Sequence, residues 1–288
     1  MLYALAAATA ALAAAGCGAS SSSTHARPTP VVTPARPSGT APAHGVPALI
    51  PPANPPARAV RAPVLTYHRV APLSAAGEPD LKVDPANFAA ELQALHAAGY
   101  HTIHQAQLFD ALYHGSPLPP KPIIISVDDG YVDDVRTILP DLQRWHMVAT
   151  FFVITGRMQL PGFLSAHQIR ELDRAGMDVG DHTAHHLDLR RLTPQELRSE
   201  IAGSKHVLEA VLGHPVYYFA YPFGTFDTTV VGAVRAAGFT LAYTTAGGIT
   251  ESTASPLTLP RIHVGRAETP SRLIGLLGHG QSGYSSLR

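Results

Sequence analysis

Ile123-Ile124-Ile125-Ser126-Val127-Asp128-Asp129-Gly130 is an apolar run that ends in two adjacent acids and a glycine. The run reads as a buried strand, Pro122–Val127. A buried strand that ends in paired acids is a poor way to stabilise a core. Burying carboxylates costs several kcal/mol unless a metal, a cation or hydrogen bonds compensate. This strand end is therefore expected to face a polar site. In barrels and open α/β sheets, sites lie at the carboxyl ends of strands. The plainer reading is a turn opened by Asp, since Asp-Gly is a common turn signal.

On both sides of this stretch, strands and helices alternate. Residues 63–68 read as a strand ending at the polar His68. Asp84-Pro85 is an N-cap with a proline at the first helical position, and Phe88, Leu92 and Leu95 follow at helical spacing. A short strand near 100–103 and a helix through Leu108 and Leu112 come next. Beyond the acids, 131–145 is a helix candidate that Pro140 should kink or break, and 148–154 is a β-prone strand. Ser165 with Gln168, and Thr193 with Glu196, form capping boxes. Strands are expected at 177–181, 216–221, 239–243 and 259–264, with helices at 228–237 and after Pro270. Such alternation argues for right-handed βαβ units and a parallel sheet. Seven or eight strands in roughly 230 residues match a closed barrel better than a doubly wound sheet. No glycine-rich phosphate loop follows the first strands, so no nucleotide cofactor is expected.

The second signal is Asp181-His182-Thr183-Ala184-His185-His186, placed after the strand that ends at Gly180 or Asp181. Three histidines within five residues is not a packing pattern. His182 and His186 are four apart, so one helical turn would put both on one side of a metal. The competing reading is a solvated histidine-rich loop. The cluster and the Asp pair both fall at carboxyl ends of strands, which converge on one face of a barrel. Two imidazoles and one carboxylate are the ligand set of an open catalytic zinc or related divalent site. Trp145, Phe151 and Phe152 read as core, Asp133 and Asp134 as acids favouring a helix dipole.

The chain has 288 residues with Lys+Arg 21 against Asp+Glu 21, so charge gives no case for nucleic acid as a partner. Cys17 is the single cysteine, which excludes an internal disulfide framework. Residues 1–16 are apolar and uncharged, with small residues before Cys17; residues 1–17 read as a signal peptide. Ala14-Ala15-Gly16-Cys17 resembles a bacterial lipoprotein box, which implies export and a lipid anchor on Cys17; the alternative is plain secretion. Residues 18–60, rich in Ser, Pro, Ala and Thr, read as a disordered tether. The folded domain is expected over 61–288.

Together these residues resemble the NodB-homology polysaccharide deacetylases, carbohydrate esterase family 4. Ser126–Gly130 is similar to the family's first motif, Thr-Phe-Asp-Asp-Gly. His182–His186 resembles its second, His-(Ser/Thr)-x-x-His. Phe219-Ala220-Tyr221-Pro222-Phe223-Gly224 resembles its third, Arg-x-Pro-(Phe/Tyr). Leu65-Thr66-Tyr67-His68-Arg69-Val70 is similar to the opening of the family's poly-N-acetylglucosamine deacetylase branch. The resemblance implies a distorted (β/α)7 barrel that removes N-acetyl groups from N-acetylglucosamine units of a cell-envelope or extracellular polysaccharide. It implies Asp129, His182 and His186 as ligands of one divalent ion, Zn2+ first and Co2+ or Ni2+ as alternatives. Asp128 is then the general base, the Phe223 backbone N–H an oxyanion donor, and His68 the general acid, with His263 ranked below it. The third motif departs from the pattern, with Ala220 where the family carries the arginine that positions the base. Either Arg261 supplies that guanidinium or the base is tuned differently. Two rival functions remain: an O-acetyl esterase on xylan-like glycans, and a weakly active or inactive glycan-binding barrel.

Overall fold

The computed structural model of the protein describes residues 48–75 and 77–279. The expected signal peptide, Cys17 and most of the expected tether lie outside these residues. Seven parallel strands carry the fold: β1 (Val64–Tyr67), β2 (Pro122–Asp129), β3 (Thr150–Val153), β4 (Asp178–Asp181), β5 (Tyr218–Ala220), β6 (Leu241–Tyr243) and β7 (Ile262–His263). Their spatial order is β6-β5-β4-β3-β2-β1-β7. The residues leading into β7 complete the ring. Leu259 N–H donates to Ala242 O (2.8 Å), and Thr244 N–H donates to Leu259 O (2.9 Å). Then β7 pairs with β1 through Ile262–Leu65 and His263–Thr66. At the β4–β5 seam only Asp181 and Phe219 are in register. The architecture is thus the distorted seven-stranded barrel that the motifs implied.

The helices follow from local chemistry. α1 (Pro85–Ala97) starts where the Asp84 side chain accepts the Ala86 N–H, and it buries Phe88, Leu92 and Leu95. α2 is Gln105–Tyr113. The 131–145 expectation divides: a π-helical turn at Asp134–Ile138 runs into α3 (Leu139–Arg144). Pro140 lies just past the junction, where the bonding changes from the π-helical to the α-helical pattern, so the ladder is altered there rather than broken. α4 (Ala166–Arg174) opens on the Ser165–Gln168 box and α5 (Pro194–Arg198) on the Thr193–Glu196 box. A π-helical turn joins α5 to α6 (Ser204–Leu212), and α7 (Thr228–Ala236) and α8 (Pro270–His279) complete the set. The end of the expected tether is ordered. Ala59–Arg61 pairs antiparallel with Thr250–Ser252, and Arg58 donates to the carbonyls of Ala111 and Leu112 at the end of α2. Apolar pattern alone missed this, because backbone pairing and one arginine hold the segment. Among the described residues no helix is long and apolar enough to cross a membrane.

Side-chain alternation along β2 explains where the site falls. Ile123, Ile125 and Val127 pack in the larger core beneath the helices, whereas Ile124 belongs to the smaller core with Val64, Phe152, Tyr218 and Tyr243. Ser126 and Asp128 share the parity of Ile124, so they enter the inner face. The inner face is closed from below by α2: Gln105 donates to Thr150 Oγ1 (3.0 Å) and accepts from the Tyr243 hydroxyl. The carboxyl ends of the strands, from Tyr67 through Asp129, Val153, Asp181 and Ala220, form the opposite rim.

In β4, Gly180 admits the Phe152 ring: a Cβ there would lie 2.5 Å from two of its ring carbons. Gly180→Ala is expected to destabilise the fold by about 1–3 kcal/mol. Urea unfolding should show it as a lower midpoint at unchanged slope; an unchanged midpoint would refute the close-packing account.

Candidate active site

The cleft at the rim is lined by His68, Asp128, Asp129, His182, His186, Tyr221, Phe223 and Arg261, and encloses about 100 Å³. Its floor is a buried ion pair. Arg261 donates from Nη1 to Asp128 Oδ1 and from Nη2 to Asp128 Oδ2, both at 2.8 Å, and from Nε to the Thr244 carbonyl at 3.0 Å. The guanidinium also sits over the rings of Phe152 and Tyr243, 5.7 and 6.0 Å from their centres. Of the two alternatives left by Ala220, the structure has the first: a guanidinium reaches Asp128 from residue 261.

Asp129 is held differently. Strand parity would send its side chain the way of Val127, but its backbone is left-handed, φ 81°. The chain turns there, and the carboxylate meets two imidazoles. Asp129 Oδ1 lies 3.8 Å from both His182 Nε2 and His186 Nε2. These three residues form a group whose ligand atoms all lie within 4.8 Å of one another. A tetrahedral ion with bonds near 2.1 Å would need separations of about 3.4 Å, and the two Asp129–histidine separations exceed that by a few tenths. His182 Nδ1 donates to the Ala220 carbonyl at 2.8 Å, which turns the Nε2 lone pair toward the other ligand atoms. The donor set and its orientation therefore fit a divalent ion.

The expected helical turn over 182–186 does not form. Thr183 and His186 are both left-handed, φ 68° and 58°, and a tight loop brings the imidazoles together instead. Their ring centres are 4.8 Å apart. Sequence reasoning missed what holds this loop. The buried Asp181 accepts the Thr183 N–H (2.6 Å), and the Ser204 hydroxyl at the start of α6 lies within 2.8 Å of both its oxygens. Glu200 accepts the His185 N–H (2.8 Å) and pairs with His185 Nδ1 (2.6 Å). That contact takes His185 out of the ligand group. An acid directly preceding the first histidine was the one available signal.

Charge is sharply partitioned. Burial pushes the Asp128 carboxyl up, but the Arg261 guanidinium, His182 and His68 override it and hold the group well below the usual carboxylate range. Burial and the neighbouring charge of Asp128 raise Asp129 to about 7. Burial lowers His182 to about 3, so its imidazole is neutral, as a metal ligand must be. Burial likewise lowers His68 to about 4 against the pull of Asp128. Its buried Nδ1 has no hydrogen-bond partner among the described residues, and its ring lies 5.6 Å from that of His263. His68 lines the cleft, and His263 is not among the lining residues. Phe223 is left-handed (φ 58°), 59% exposed, and packs edge-on to His186 at 4.5 Å. Asp134, expected only to serve a helix dipole, is fully buried, and neither oxygen is hydrogen-bonded among the described residues. Burial first, then Asp133 and Asp129, raise it well above its ordinary value.

Residues 115–242 match a family described as polysaccharide deacetylase. The chain is 28% identical over 202 residues to YxkH of Bacillus subtilis strain 168, a protein named as a polysaccharide deacetylase; the match covers 70% of this chain and 71% of that one. It is 29% identical over 121 residues to a peptidoglycan-N-acetylglucosamine deacetylase of Bacillus cereus, covering 41% of this chain and 54% of the relative. In three dimensions it is similar to the Streptococcus pyogenes deacetylase PplD, solved in complex with acetate. That likeness has a TM-score of 0.70 and 27% identity, and covers 78% of this chain and 99% of PplD.

A raised carboxyl means the folded state holds a proton that the unfolded chain releases near pH 4. For Asp129 the resulting stability is full below pH 4 and is lost as pH rises to about 7. Metal-free Asp129→Asn protein should therefore melt higher than metal-free wild type at pH 8, with the difference vanishing toward pH 4. Equal melting temperatures at pH 8 would show that Asp129 is not desolvated as described.

Proposed function

The chain carries a polysaccharide deacetylase domain, and from that premise we propose that it hydrolyses N-acetyl groups of N-acetylglucosamine units in a cell-envelope or extracellular polysaccharide, using one divalent cation. The observation that carries this reading is the division of labour between adjacent acids. Asp129 converges with His182 and His186 on one small space, while Arg261 occupies both oxygens of Asp128. Bound there, Zn2+ (or Co2+ or Ni2+) would polarise the acetamide and acidify water.

The remaining work falls to side chains of this protein. Asp128, kept ionised by Arg261, accepts a proton from the attacking water. The water oxygen bonds to the acetamide carbon, and the carbonyl oxygen takes up negative charge. The Phe223 backbone N–H, on a rim residue of the cleft, is the donor assigned to that oxyanion. Collapse breaks the C–N bond, and His68 protonates the departing amine. Its neutral resting state requires that it be loaded during turnover. The proton taken by Asp128 is a source, since the carboxyl of Asp128 holds it less tightly than the imidazole does. Acetate and a free glucosamine leave. Arg261 acts as the residue that positions the base. Export and anchoring through Cys17 complete the proposal; they rest on the apolar leader and the box at 14–17. Membrane fractionation tests them, since Cys17→Ala should move the protein to the soluble fraction.

The deciding experiment is acetate release from N-acetylated chitooligosaccharide, peptidoglycan glycan strands and acetylxylan. Wild type should release acetate from the first two and lose that activity with a chelator. Asp128→Asn should keep about one equivalent of metal yet lose about 10²–10⁴ in rate. His182→Ala should lose the metal. Full activity in Asp128→Asn would remove the base assignment. Preference for acetylxylan would move the reaction to ester hydrolysis.

A further inference from the structure

Arg157 is at the end of a short turn, Thr155–Arg157, that follows β3. The turn is fastened to the loop that carries both histidines. Thr155 N–H donates to Thr183 O at 3.1 Å, and Gly156 N–H donates to Ala184 O at 2.8 Å. A Cβ on Gly156 would lie 2.4 Å from that same carbonyl, so only glycine allows the approach. Arg157 is thus fixed in register with His182 and His186.

Its guanidinium is fixed as well. It lies 5.3 Å over the Phe163 ring. Phe163 stacks on Tyr131 at 4.8 Å and 23°, and the two residues also pair through their backbones. Arg69 lies over Tyr131 at 4.7 Å, and Asp133 pairs with Arg69 at 2.8 Å. The result is a wall beside Asp129 with an arginine at each end. For Arg157, among the described residues, no carboxylate stands within ion-pairing distance. The carbonyls that hold its turn belong to Thr183 and Ala184, between His182 and His186.

A rigid cation beside a divalent-metal position repels the metal. Such a charge is useful only when an anion arrives with the substrate. A planar guanidinium suits carboxylate and phosphate, which it can grip through two parallel hydrogen bonds. We propose that Arg157 is a specificity residue that binds an anionic substituent, carboxylate or phosphate, on the sugar next to the one being deacetylated. This inference rests on the deacetylase reading and narrows its substrate to acidic glycans. The neutral N-acetylglucosamine polymer becomes the poorer substrate.

The test compares three N-acetylated oligosaccharides of matched length: neutral chitooligosaccharide, peptidoglycan glycan strands bearing lactyl carboxylates, and 6-phosphorylated chitooligosaccharide. Wild type should turn over at least one acidic substrate with higher kcat/KM than the neutral one. Which acidic substrate responds identifies the anion. Arg157→Gln should lose about ten-fold or more in kcat/KM on that substrate, chiefly through KM, and less than two-fold on the neutral one. Arg157→Lys should restore part of the preference, and raising salt should erode it. A parallel loss on all three substrates, or no acidic preference in wild type, overturns the proposal. Calorimetric binding of the same oligosaccharides to metal-free wild type and Arg157→Gln separates the two readings. Discrimination in binding without any acetate release would sink the deacetylase reading alone, whereas acetate release without discrimination would sink this inference alone.

Discussion

The Asp128–Arg261 pair sets the rest of the barrel mouth. Two charges with almost no exposure are costly to desolvate, and such a pair persists only when its hydrogen bonds are nearly complete. Here two parallel bonds join the partners, the Thr244 carbonyl takes a third donor, and two aromatic rings flank the cation. With both its oxygens engaged, Asp128 is not in the group that could hold an ion. That group contains Asp129, whose carboxylate is turned to the histidines. Two identical side chains, adjacent in sequence, receive different chemistry from one guanidinium.

The second constraint is backbone strain. Asp129, Thr183, His186 and Phe223 all occupy the left-handed region, which non-glycine residues seldom visit. Each such residue costs on the order of 1–3 kcal/mol and survives only where its surroundings over-determine it. Asp181 and Ser204 supply that support for Thr183, and Thr183 Oγ1 in turn accepts the His186 N–H at 3.0 Å. Four of the seven non-glycine residues with left-handed backbone among the described residues thus lie at the rim. The same loop explains why three neighbouring histidines divide two and one: Glu200 claims His185 before any ion can.

Much of this was legible in the chain. The isoleucine run, the two capping boxes and the strand–helix alternation depend on local pattern, and local pattern survives folding. The pairing of residue 128 with residue 261 joins positions 133 apart, and no periodicity reports it. It surfaced in the sequence through the family resemblance, as a gap at Ala220 with Arg261 as one of two ways to fill it. The histidine spacing was read through helical geometry and gave the right neighbours by the wrong route, because a loop with two left-handed residues can bring positions 182 and 186 together just as well. Ser204 and Arg157 carried no signal of their own, and Asp181 only its place directly before the first histidine. Their importance arises from where main-chain carbonyls and hydroxyls fall after packing.

Arg261 stands immediately before β7, on the stretch that also completes the ring of strands. Closing the ring and giving Asp128 its partner are therefore one event. A chain synthesised amino end first has Asp128, Asp129, His182 and His186 long before it has Arg261. Until the final strand is in place, Asp128 lacks the guanidinium that offsets its burial. The order of synthesis thus leaves the most costly charge of the barrel mouth to be matched last.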